Sequence, residues 1–239
     1  MRRVQDLIHS IRKEYPNDNF FADFEASLER WPLKRHHYQR YEQAFETLTA
    51  RSWANLRKKA VAHFNETRPY QKKGPFFDQL NDAIACQWLV RRGFTAVTVL
   101  EEVPGDKNPK CPDISFLAGT KKLYCETKTI NTSVLEDQAR ATPKYRDSKQ
   151  YAQLGPTFFK KIDDAIETAT KQIQAVCNFS LIFLLVSFDD FTMTYYARHR
   201  IQIATHMRNH HGLPFLIKFG MHGSLRLEGT HALLKNAKA

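Results

Sequence analysis

The sequence predicts an α/β fold, a core ordered α-β-β-β-α-β around a mixed sheet and preceded by a helical N-terminal region. Three stretches carry that prediction. Cys111 to Ile130, CPDISFLAGTKKLYCETKTI, sets β-branched and aromatic residues on both sides of Gly119-Thr120 and reads as two strands around a tight turn. Thr157 to Val176 repeats Phe158, Ile162, Ala165, Ile166, Ala169, Ile173 and Val176 at three and four, the stripe of an amphipathic helix. Ser180 to Phe188, SLIFLLVSF, is a near-continuous apolar run, as in a strand buried on both faces. A helix lying between two strands implies a parallel pair joined by a crossover.

Taken in order, residues 1–74 read as helical. Val4, Leu7, Ile8 and Ile11 make one short face, Pro16-Asn17-Asp18 breaks it, and Phe20 to Leu28 resumes it. Tyr41 to Phe64 gives a longer helical pattern through Phe45, Leu48, Trp53, Leu56 and Val61. Gly74-Pro75 punctuates the chain and separates this region from a core at residues 75–239. Phe76 to Arg92 is a helix stopped by Gly93, with Ala85, Cys86, Leu89 and Val90 on one apolar side. Asp82 falls on that same side, and an acid there calls for a partner: a backbone or arginine group, or a metal. Thr95 to Val103 is the first strand, followed by the loop PGDKNPK and the hairpin. Beyond the core, Tyr195 to His211 reads as a helix stopped by Gly212, and Leu213 to Phe219 as a further strand.

With 239 residues the chain is long enough for a substantial core, and its formal charge of +11 points to a polyanionic partner. The four cysteines, Cys86, Cys111, Cys125 and Cys177, show no CxxC spacing, which suggests reduced thiols in a cytoplasmic protein and no zinc site or disulfide frame. The start lacks a signal-peptide apolar run, and Leu181 to Val186 is too short to span a membrane, so no membrane partner is expected.

The hairpin carries the chemistry. A two-residue turn at Gly119-Thr120 puts Ala118 across from Lys121 and, continuing outward, Asp113 across from Glu126. Opposed residues share a face with Cβ atoms about 4.5–5.5 Å apart. Lys128 joins that face by the strand period of two. Two acids that close repel unless a cation or proton sits between them. Mg²⁺, which takes oxygen ligands from one or two carboxylates and leaves positions for water and phosphate, suits such a pair, with Mn²⁺ a second choice. A neighbouring lysine orients an attacking water or takes its proton, and the set suggests phosphodiester hydrolysis. The bland reading is a hairpin with a solvated charged face.

Pro112-Asp113, twelve intervening residues and Glu126-Thr127-Lys128 resemble the motif of the PD-(D/E)XK nucleases, the restriction-endonuclease-like superfamily. The resemblance covers roughly residues 76–188 and extends to the element order helix, strand, strand, strand, helix, strand. It implies a deoxyribonuclease in which Asp113, Glu126 and Lys128 are catalytic and Asp113 and Glu126 bind metal. It further implies that the Thr127 carbonyl completes the metal shell and that Asp82 contributes a third acid, with Asp78 one turn earlier as its rival.

Between residues 138 and 161 six basic residues, Arg140, Lys144, Arg146, Lys149, Lys160 and Lys161, face one acid, Asp147. A basic loop leaving an active-site strand clamps a phosphate backbone, in DNA by preference; the alternative is a solvated surface loop. Residues 1–74 carry fifteen Lys/Arg against nine Asp/Glu, which suits either a nucleic-acid-touching arm or a lid packed on the core. A homodimer, with one site per strand, is compatible with the sequence. His206 and His210 lie one turn apart, but no third ligand is spaced to join them, and surface histidines are the default. The competing functional class is a non-cleaving nucleic-acid-binding module on the same fold.

Overall fold

The computed structural model describes residues 1–66, 73–101, 111–131, 152–176, 180–188, 195–219 and 226–228. It is mixed α/β, as the sequence predicts, and it divides into two compact units: Met1–Asn108 with Asp113–Lys122, and Pro109–Pro112 with Leu123–Ala239.

The first unit runs α1 (Arg2–Glu14), α2 (Phe24–Arg30), α3 (Pro32–Glu46), α4 (Ala50–Ala62), α5 (Gly74–Arg91), β1 (Thr95–Val99) and β2 (Ile114–Ala118). Helices α3 and α4 pack against α5, and α4 also packs against β1. Tyr41, Phe45, Leu56, Phe64 and Phe76 fill the space between them and are fully buried. Burial of each such side chain contributes about 1.5–3 kcal/mol. The single helical pattern expected over Tyr41 to Phe64 is broken, because Thr49 accepts the Ser52 N–H and starts α4 as an N-cap. The helix expected from Phe20 begins at Phe24, since the Asp18 carboxylate takes the Phe20 N–H and holds a turn there.

Gly93 closes α5 at φ 86°, a conformation that favours glycine. Strand β1 ends at Val99, short of the expected Val103. It pairs antiparallel with β2 through Thr95↔Leu117, Thr98↔Ser115 and Val99↔Ile114. The extra residue between Thr95 and Thr98 makes a bulge, with Ala96 at φ 49°. Helix α4 holds the far side of β1: Ser52 Oγ accepts the Val99 N–H at 3.2 Å, and Asn55 Nδ2 donates to the Val99 carbonyl at 2.9 Å. After β2, Gly119 at φ 61° and Thr120 form the predicted two-residue turn, and β3 (Lys121–Ile130) begins.

The second unit contains β3 from Leu123 onward, α6 (Pro156–Gln174), β4 (Ser180–Phe188), α7 (Tyr196–His210), β5 (Phe215–Phe219) and β6 (Arg226–Glu228). Strand β4 lies parallel to β3 and to β5, and β5 pairs antiparallel with β6, a strand the sequence does not announce. The parallel β3–β4 pair across α6 matches the crossover reading. Ile162, Ile166, Ala169 and Ile173 of α6 bury their stripe in the cluster that includes Ile182, Leu184 and Val186 of β4. Among the described residues no helix is long and apolar enough to cross a membrane.

Candidate functional site

In the first unit two acids meet on one cation. Asp82 projects from α5, Asp113 stands immediately before β2, and Lys59 reaches them from α4. The Lys59 ammonium donates to Asp113 Oδ1 at 2.6 Å and to Asp82 Oδ2 at 3.2 Å. Lys59, Asp82 and Asp113 expose only 11%, 3% and 16% of their side chains, so water screens this cluster poorly.

Local structure explains the convergence. Ser52, Asn55 and Lys59 are spaced three and four apart, one face of α4. The first two grip Val99, so the third arrives beyond the end of β1. There the Leu100 N–H donates to the Asp113 carbonyl at 2.8 Å and fixes the backbone that carries the acid. Asp82 is buried on the apolar side of α5 as its spacing predicts, and its partner is a lysine from the N-terminal helices. Cys86, one turn further on, lies in the same electrostatic environment: burial pushes its thiol pKa well up, and the charges of Asp82 and Asp113 push it further. The rival acid Asp78 is half-buried one turn earlier, where its charge acts on the buried Tyr41 phenol.

In the second unit Glu126 and Lys128 share one face of β3, as the period of two requires. The Lys128 ammonium donates to Glu126 Oε1 at 2.7 Å and to the Gln172 side-chain carbonyl on α6, also at 2.7 Å. Glu126 is 4% exposed in its side chain and Lys128 23%, so the carboxylate is sunk while the lysine head reaches toward solvent. The register Glu126↔Ile182 and Lys128↔Leu184 seats both residues beside the buried centre of β4. Thr127 lies between them on the strand and is half-buried.

Lys59 and Gln172 escape the sequence reading altogether. No protein-family model, curated protein or solved structure matches the chain. Of the six basic residues assigned to a phosphate clamp, Arg140, Lys144, Arg146 and Lys149 lie outside the described residues. Lys160 is exposed on α6 and shares its charge with Asp164 at 2.6 Å, one turn away; Lys161 is half-buried.

Proposed function

We propose that the chain is a Mg²⁺-dependent (or Mn²⁺-dependent) nuclease that hydrolyses phosphodiester bonds in DNA on a restriction-endonuclease-like core. The observation that carries this reading is the clasp of Asp82 and Asp113 on one ammonium: a buried and a half-buried carboxylate from different elements are held on a shared cation. Their hard oxygen donors fit Mg²⁺. The ion would be held by Asp82 and Asp113, the acids that meet in the first unit. A bound divalent ion supplies Lewis acidity toward a phosphodiester.

The chain's own groups do the remaining work. Lys128, steadied by Glu126 and Gln172, orients the attacking water and offsets the charge that develops on phosphate. Lys59 bridges Asp82 and Asp113 and occupies the place a divalent ion would take. The excess of basic residues supplies attraction to the DNA backbone, and a pair of copies would place one site on each strand.

The second reading is a non-cleaving nucleic-acid-binding module. It is favoured by Lys59 itself, which already supplies an internal cation to the acid pair. Incubation of supercoiled plasmid in Mg²⁺, Mn²⁺ and EDTA separates the two. The nuclease nicks plasmid only with metal, and Asp113→Ala and Lys128→Ala each slow nicking by about 100-fold or more. Cleavage surviving both substitutions sinks the site assignment; retention of plasmid without any cleavage selects the binding module.

A further inference from the structure

Asp163 of α6, His206 of α7 and His211 at the end of α7 converge on one point. His206 Nε2 lies 2.8 Å and His211 Nε2 2.7 Å from Asp163 Oδ1, and one nitrogen or oxygen from each residue falls within 4.8 Å of the others. The sequence spacing pairs His206 with His210. His210 is exposed and its ring lies against that of His206 with centroids 4.5 Å apart, but the residue that reaches Asp163 beside His206 is His211. Gly212 at φ 61° makes this possible: its N–H and that of His211 both return to the Met207 carbonyl, which closes the helix and folds the His211 ring back over the last turn. Phe159 of α6 lies against the His206 ring with centroids 4.7 Å apart and fixes its orientation. All three groups are half-buried, with Asp163 the most open, so the cluster is reachable from solvent.

We propose that Asp163, His206 and His211 form a binding site for a zinc-class divalent ion, separate from the acid pair of the proposed nuclease centre and independent of that reading. Two imidazole nitrogens and one carboxylate oxygen make a borderline donor set that selects zinc-class ions over Mg²⁺. Bonds of about 2.0–2.1 Å in a tetrahedron put ligand atoms roughly 3.3 Å apart, so the trio opens by about half an ångström to admit the ion. Three protein ligands leave a fourth position for water or an exogenous ligand. The ion cross-links α6, on which Gln172 holds Lys128, to α7.

The test is Zn²⁺ titration of the chelator-stripped full chain against a chromophoric chelator, with Co²⁺ absorption as a second readout. Wild type takes up one equivalent, and the Co²⁺ form shows the intense visible bands of four-coordination. Asp163→Asn, His206→Ala and His211→Ala each weaken uptake by more than about 100-fold, beyond the 10–100-fold of an outer-shell change. Asp164→Asn, at the neighbouring exposed acid outside the trio, keeps it. His211→Gln, at a half-buried helix end, preserves the fold if His206→Ala does not. A wild type that binds no equivalent overturns the proposal, as does an equivalent that survives in Asp163→Asn and His211→Gln.

Discussion

Arg57, Lys58 and Lys59 are three consecutive cations on α4 with three different fates. Arg57 bonds both carboxylate oxygens of Asp6, Lys58 pairs with Glu101 at the surface, and Lys59 turns inward to Asp82 and Asp113. A helix advances about 100° per residue, so adjacent side chains diverge onto different partners. Replacing Lys59 by Met removes the ammonium from one buried and one half-buried carboxylate, and urea denaturation at neutral pH is expected to show a loss of about 3 kcal/mol. Millimolar Mg²⁺ is expected to restore part of that loss in Lys59→Met and to change wild type less; an equal response of the two proteins contradicts a cation place at the acid pair. Glu126 and Lys128 are legible in the sequence because a strand fixes which residues share a face. Lys59 is not. Its partners lie 23 and 54 residues away, and a basic run on a helix reads the same whichever member points inward.

At the scale of elements, α1 begins without a side-chain cap of its own. The buried carboxylate of Glu42 on α3 supplies one, accepting the Arg3 N–H at 2.9 Å and the Val4 N–H at 2.8 Å. Two charge-assisted bonds at a helix N-terminus make Glu42→Ala cost about 2–3 kcal/mol, read as a lowered thermal midpoint; an unchanged midpoint removes Glu42 from this role. The apolar stripes of α1 and α6 and the apolar run of β4 are local signals, and all three elements stand where the sequence puts them. The break between α3 and α4 is also local, but a lone threonine cap is a weak mark within a strong apolar period. Strand β6 is three residues long, too short for any period, and its pairing with β5 is settled by the neighbour.

For the whole molecule, the α/β class and its order of elements were legible in the sequence, whereas the division into two compact units was not, since it depends on contacts between distant segments. The formal charge of +11 carries its own expectation. Retention of duplex DNA is expected to fall at least about tenfold between 50 and 200 mM salt, as counterion release requires for several phosphate contacts. Binding indifferent to salt argues against a phosphate-tracking surface. The grip of α4 on Val99 has a different consequence. A strand with vacant N–H and C=O groups along its outer side invites a strand from another molecule to add to it and so begins aggregation. Ser52 and Asn55 occupy both groups of Val99, so the helix that delivers Lys59 also shields this stretch of β1 from recruiting a neighbour.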